Sequence, residues 1–360
     1  MPSFRSGEVV RLLEERPGLQ RVEVDLDGYP ERAYVLSQLT GTVAVGDRVV
    51  VNTTAVELGL GTGGWHVVHW NLSRDSWSEK GPGHIIKSRY TSLQTDVGST
   101  EEHLSELAEV ESIEGMPVVV AALHSQVPAV AVAVKAAAPD ARLAYVMTDG
   151  AGLPLALSDL VANLRARELL DATVTCGHAF GGDYEAVSIY SALAVARHVA
   201  KADVTVVAMG PGIVGTNTRL GFTGMEVGPI LDAVVALGGE AIAALRVSFA
   251  DPRPRHVGLS HHSATALRVA SRERIRIAVP RVGGIEEERL RADLAAAGLD
   301  SRHEIVDVAP VDVLRLFADH GLDIVSMGRP AADDPVMFEA AAAAGVVAVD
   351  LIPPRDAVAP

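Results

Sequence analysis

The stretch Asp203–Gly215, DVTVVAMGPGIVG, decides how the larger part of the chain folds. From Val204 to Met209 it is apolar or β-branched without alternation, the pattern of a strand buried on both faces. A glycine-rich turn follows at once. The pattern recurs in both directions from Pro117 onward, in PVVVAAL, RLAYVMT, ATVTCG, AIAALRVSF, RIRIAV and HEIVDV. Helical patterns lie between these runs, among them LALSDLVANLRARELL, YEAVSIYSALAVARHVAKA and IEEERLRADLAAAGL. Strand–helix alternation specifies βαβ units and a parallel sheet. Residues 117–360 are therefore expected to form an α/β, parallel, doubly wound (Rossmann-like) sheet. A closed (β/α)8-like barrel is the alternative, because GLDIVSMG and GVVAVDL offer further candidate strands.

The first 75 residues read differently. GEVVRLLEE, QRVEVDLDG, ERAYVLSQL, GDRVVVNTT and WHVVHWN are short strands parted by glycine-containing turns. They predict a small β-barrel of the SH3-like or OB type, acting as a docking or lid module. Residues 76–116 mix turn signals with a charged, helix-like end and are read as a bridging segment.

Composition limits the function classes. The formal charge is −15 and aromatics are 4% of 360 residues, so the broad positive, aromatic face that nucleic acid requires is missing. No apolar run is long enough to span a bilayer, and the opening MPSFRSGEVV has no apolar signal core. One cysteine, Cys176, excludes an internal disulfide and fits a reducing cytoplasm. Neither nucleic acid nor membrane is an expected partner. A homo-oligomer is left open.

In parallel α/β folds, ligands bind beyond the carboxyl ends of the strands. Those ends lead here into His124-Ser125, Thr148-Asp149-Gly150, Gly177-His178 with Gly181-Gly182-Asp183, Gly210-Pro211-Gly212, and Ser248–His262. GPGIVG formally matches a dinucleotide fingerprint, but TNTRLGFTGMEVG intervenes before the next helix and Asp232 lies within that helix, so NAD is not expected. What remains is an anion-holding loop of Gly210, Gly212, Gly215 and Thr216, or a structural turn. Thr218 and Arg219 suit anionic oxygens in the first case.

SFADPRPRHVGLSHH (248–262) crowds two arginines and three histidines behind Asp251 in an acidic chain. Pro252 and Pro254 stiffen the loop and are expected to present Asp251 and Arg253 outward. Ser260 is placed to cap a helix with His261 and His262 in its first turn, where neutral imidazole is favoured. Arg253, Arg255, Asp251, His261 and His262 are ligand-binding candidates; an Asp251 ion pair to Arg253 or Arg255 is the structural alternative. Adjacent histidines lie about 100° apart on a helix, which argues against their sharing one ion. His66 and His69 point to opposite faces of a strand, and Cys176 reads as a buried small hydrophobe.

Together, VNTTAVELGLGTGG, GHIIKSRYT, LHS, YVMTDG, GHAFGGDYEAV, MGPGIVGTNT and SFADPRPRHVGLSHH resemble a bacterial family known as domain of unknown function 3866. The resemblance runs from the first strands to about Pro280. It implies no activity, cofactor or catalytic residue.

The residues themselves support three readings. The first is a cytoplasmic enzyme acting on a small anionic, phosphorylated metabolite, with Asp149, His178, Asp183 and His256 as catalytic candidates. A metal-dependent hydrolase using a divalent ion at Asp149, Asp183, His178, His256 and His261 is the second. A non-enzymatic ligand-binding or regulatory protein is the third. The change of architecture predicts that limited proteolysis cuts first between residues 76 and 116. Initial cleavage within the strand–helix repeats would contradict that boundary.

Overall fold

The structure, a computed structural model, describes residues 1–60 and 63–353. Gly61 and Thr62 of the stretch VNTTAVELGLGTGG, and the end of the α/β region from residue 354, lie outside the described residues. The chain divides into two compact units, Met1–Gly98 and the remainder from Ser99. The segment 76–116 contributes a ribbon, Ile86–Lys87 with Thr95–Asp96, to the first unit, and the short helices Thr100–His103 and Ser105–Leu107 to the second.

Five strands close the barrel: β1 (Phe4–Arg16), β2 (Leu19–Leu26), β3 (Tyr29–Val35), β4 (Arg48–Asn52) and β5 (His66–Asn71). Their order is β1-β2-β3-β5-β4, with β1 returning to β4 and β3 running parallel to β5. That crossed connection is the Greek-key closure of an OB-type barrel. Strict alternation drives it: Val22, Val24 and Leu26 of β2 point inward with Ala33, Val35, Val49 and Val51, while Arg21, Glu23 and Asp25 face out. His66 is buried and bonds Glu31 at 2.7 Å, whereas His69 packs edge-on against Phe4. The two rings serve different contacts.

The second unit is built on an open sheet of eight strands: β6 (Pro117–Ala121), β7 (Leu143–Thr148), β8 (Ala172–Thr175), β9 (Tyr184–Glu185), β10 (Val204–Met209), β11 (Glu240–Ala244), β12 (Arg276–Pro280) and β13 (Glu304–Val308). Every neighbouring pair is parallel, in the order β9-β8-β7-β10-β6-β11-β12-β13. The edges β9 and β13 do not meet, so the alternative of a closed barrel is set aside. GLDIVSMG gives only a small hairpin, Val325–Ser326 with Arg329–Pro330, and GVVAVDL is helical.

Helices cover both faces. On one face lie α1 (Val127–Ala137), α2 (Asp159–Ala166), α6 (Val313–Asp319) and α7 (Pro335–Asp350). The other carries α3 (Ile189–His198), α4 (Val227–Ala236) and α5 (Gly284–Ala296). Alternate residues of each strand feed the two cores: Val119, Tyr145 and Val206 go one way, Val118, Val146 and Val207 the other. Among the described residues no helix is long and apolar enough to cross a membrane.

The tightest helix contact pairs α7 with α1. Ala340–Ala344 and Gly345 are buried against a helix whose own residues Val127–Val134 are buried. A Cβ on Gly345 would lie 2.9 Å from the Val130 carbonyl oxygen and 3.1 Å from Ala133 Cβ. Gly345→Val should therefore cost about 1–3 kcal/mol through overpacking. In a thermal melt that lowers Tm by several degrees. An unchanged melt would mean that α7 slides on α1 without penalty.

Candidate functional site

β6 continues into α1 on one face, while its neighbours β10 and β11 continue into α4 and the helix His261–Thr265 on the other. Adjacent strands with diverging crossovers leave a crevice at their carboxyl ends. The loops there are 122–126, 210–226 and 245–262.

The loop after β11 is held by charge. Arg246 and Asp251 are each about 1% exposed at the side chain and pair at 3.3 Å. Asp251 also accepts Arg253 Nε at 2.9 Å, Arg253 Nη2 at 2.8 Å and the Arg253 backbone N–H at 3.0 Å. Arg329 approaches the same carboxylate at 3.8 Å. Burial opposes ionisation of Asp251, but the Arg253 hydrogen bonds and the charges of Arg253 and Arg246 hold its carboxyl far below the usual carboxylate range. The expectation that the prolines present Asp251 and Arg253 outward is thereby corrected. Extended backbone around Pro252 lets Arg253 fold back two residues and clamp Asp251. Ser248 donates to Asp334 at 2.6 Å and accepts the Asp251 N–H at 2.9 Å, which ties the loop to the start of α7.

Against this network stand the histidines. Ser260 caps the helix His261–Thr265, its Oγ accepting the His262 N–H at 3.2 Å, and also bonds His256 Nδ1 at 2.7 Å. Phe222 stacks on His262 with ring centroids 3.9 Å apart. Burial, then the Arg246 charge, lowers both His256 and His262 to about 3. Burial and Arg255 lower His261 as well. Burial and the neighbouring arginines thus favour the neutral form of all three rings, His261 being half-buried and the other two buried. Candidate ligand atoms of His256, His261 and His262 lie within 4.8 Å of one another. The helical divergence of adjacent histidines does not keep these rings apart: the third ring comes from the loop, and the pair lies at a helix start.

Next to His261 opens a pocket of about 450 Å³ lined by Asn217, Thr218, Arg219, Arg255 and Arg268, together with Ala296 and Ala297 at the end of α5. His261, Ala264, Thr265 and Arg268 line it from the helix that runs as α over His261–Thr265 and as a π turn over Ala266–Ala270. The opposite wall is the tip of the hairpin that pairs Gly215 with Phe222. Among the described residues, Arg219, Arg255 and Arg268 have no carboxylate partner, and Arg255 instead donates to the Asn217 amide oxygen. Gly210 packs against Gly152, where a Cβ would lie 2.2 Å from the Gly152 oxygen. Gly212 adopts φ +107, and the Thr216 N–H is committed to the Gly221 carbonyl at 2.7 Å. The glycine loop thus shapes the hairpin, while Thr218 and Arg219 at its tip reach the pocket.

The remaining candidates lie elsewhere on the edge. Asp149 follows β7, three strand spacings or about 14 Å from the end of β11. It accepts the His178 backbone N–H at 3.0 Å and stands beside Glu226, whose Oε1 accepts from Thr148 Oγ1 at 2.7 Å. Asp183 accepts the Thr173 N–H at 2.8 Å and its hydroxyl at 3.0 Å, and pairs with Arg165 at 3.2 Å. Asp149, His178 and Asp183 therefore do not join His256 and His261 as one metal-ligand set; among the described residues that set is His256, His261 and His262. Cys176 is packed in the core. Sequence reading missed Arg246, Phe222, Arg268 and Glu226. A lone arginine at the end of a buried apolar run, and the i, i+7 spacing of His261 and Arg268, were the available signals.

Fold and site together define an α/β protein of the open parallel class with an OB-type barrel before it. The family model described as Protein of unknown function (DUF3866) matches residues 32–345, and the chain belongs to that family. No curated protein matches the chain.

Glu226 supplies a test of the second cluster. Burial raises its carboxyl from 4.5 to about 6, against the Thr148 hydrogen bond and with help from the Asp149 charge. The folded protein holds this proton more tightly than the unfolded chain. Stability is therefore fullest below pH 4.5 for this group and falls by about 2 kcal/mol in all as pH rises through and beyond about 6. Glu226→Gln should remove that decline from denaturation midpoints measured across the window. An identical pH profile in the variant would mean the carboxyl is not held protonated.

Proposed function

We propose that the protein is an enzyme that binds a small phosphorylated metabolite in the pocket between the 215–222 hairpin and the 261–270 helix. The histidine cluster at the pocket wall does the chemistry in this reading. One observation carries it: Arg219, Arg255 and Arg268 converge on the pocket without carboxylate partners among the described residues, in a chain of net charge −15. Such a chain has many acidic groups with which to neutralise them. Guanidinium forks suit phosphate oxygens, and a local positive focus draws an anion through the repulsive field of the whole protein. Asn217 and Thr218 add uncharged donors at the same rim. The single free cysteine, buried in the core, fits a cytoplasmic setting.

Pyrophosphate and a panel of phosphorylated metabolites should raise Tm, less so at high salt. Each of Arg219→Ala, Arg255→Ala and Arg268→Ala should weaken binding more than tenfold, since a charge-assisted hydrogen bond contributes about 1.5–3 kcal/mol. Arg253→Ala serves as the contrast: its guanidinium clamps Asp251, so that variant should unfold earlier and still bind. Absence of any shift, or equal shifts in the pocket variants, would overturn the assignment.

A further inference from the structure

The three imidazoles invite a more specific reading. Their candidate ligand atoms lie within 4.8 Å of one another. A tetrahedral zinc ion with nitrogen ligands about 2.0–2.1 Å away separates those nitrogens by roughly 3.3 Å, so small side-chain rotations close the gap. A second observation is independent of that spacing. His261 Nε2 is buried and has no hydrogen-bond partner, and a native structure seldom leaves such a group unserved.

The other two rings already point lone pairs at cations. Arg255 Nε donates to His256 Nε2 at 3.3 Å, and Arg246 Nη1 lies 3.4 Å from His262 Nδ1. A guanidinium can only donate, so both nitrogens present lone pairs, which are what a metal uses. Ser260 bonds His256 on its Nδ1 side at 2.7 Å and fixes Nε2 as the ligating atom, in the way that outer hydrogen bonds orient metal-binding histidines. Asp251 neutralises Arg246 and Arg253 nearby, so an ion does not enter against their bare charge.

The geometry points to a binding site for one divalent transition-metal ion of the zinc class at His256, His261 and His262. Three imidazoles without thiolate or additional carboxylate suit zinc and its neighbours in the first row, and do not suit magnesium or calcium. They also leave a fourth position open, as catalytic sites do. Because His261 belongs to both the triad and the arginine-lined pocket, the ion sits at the edge of that pocket. The inference rests on the histidines and stands apart from the anion reading.

The test uses the full chain without an affinity tag, stripped with chelator, dialysed and titrated calorimetrically with zinc and, separately, magnesium. Zinc should bind at about one equivalent and magnesium should not. His261→Ala should weaken zinc at least tenfold; its half-buried ring, whose Nε2 makes no hydrogen bond, makes this the variant most able to fold, which a melt verifies. His256→Gln should do the same. Arg255→Ala should bind zinc more tightly, because it removes a competing donor, while losing the phosphate response. Absence of any phosphate response in the wild type, with zinc binding intact, would sink only the anion assignment. No zinc binding, or equal affinity and stoichiometry in the wild type and His261→Ala, overturns the metal site.

Discussion

Asp251 is the charge on which the edge of the sheet depends. Arg246 stands just past the end of β11, about 1% exposed at the side chain, where an uncompensated guanidinium would cost several kcal/mol. Burial lowers Arg246 to about 10, which leaves it charged at neutral pH. Its counter-charge comes from five residues along the chain, and Arg253 and Arg329 converge on the same carboxylate. One anion therefore gathers the loop after β11 and the 325–330 hairpin. Arg246 also fixes His262, so the geometry of the histidines follows from the pairing of Asp251.

The parallel sheet explains why polar chemistry lies where it does. Strands such as Val204–Met209, buried along their whole length, offer no place for an unpaired polar side chain. Titratable groups are displaced to the carboxyl edge, where they divide into two clusters. Glu226 and Asp149 sit by β7 and β10, and the histidines and arginines sit by β11. The 210–226 loop joins them, since it carries Glu226 at one end and Phe222, stacked on His262, before it.

Much of this architecture is legible in the sequence because burial on both faces leaves an unmistakable uninterrupted apolar run. Apolar runs mark seven of the eight sheet strands, and alternation between glycine-containing turns marks the five barrel strands. The exception, Tyr184–Glu185, is two residues in a polar loop, and its pairing is imposed by neighbours: Thr175 bonds Glu185, and Asp183 bonds Thr173. GVVAVDL was ambiguous because a short apolar run fits either period; the alanines before it extend a helix through it. At the site, the crowding of histidines and the Ser260 cap were readable. The partner of Arg253 was not, because a loop's backbone path decides whether a side chain reaches out or folds back.

The arginines of this edge fall into two groups, and the difference is physical rather than positional. Arg246, Arg253 and Arg329 are paired with Asp251 and Asp334, and their removal would leave buried carboxylate charge uncompensated. Arg219, Arg255 and Arg268 lie around open space, with no carboxylate among their partners in the described residues. Leaving solvated guanidiniums unpaired costs the fold little, because water screens them. Pairing them would have been equally easy in a chain with 46 acidic residues against 31 basic ones. An internal carboxylate there would compete with any ligand, whereas open donors keep their full interaction for an anion arriving from solution. The carboxylate-paired group stabilises the edge, and the open group is the one the proposed anion would engage, although both are built from the same residue type.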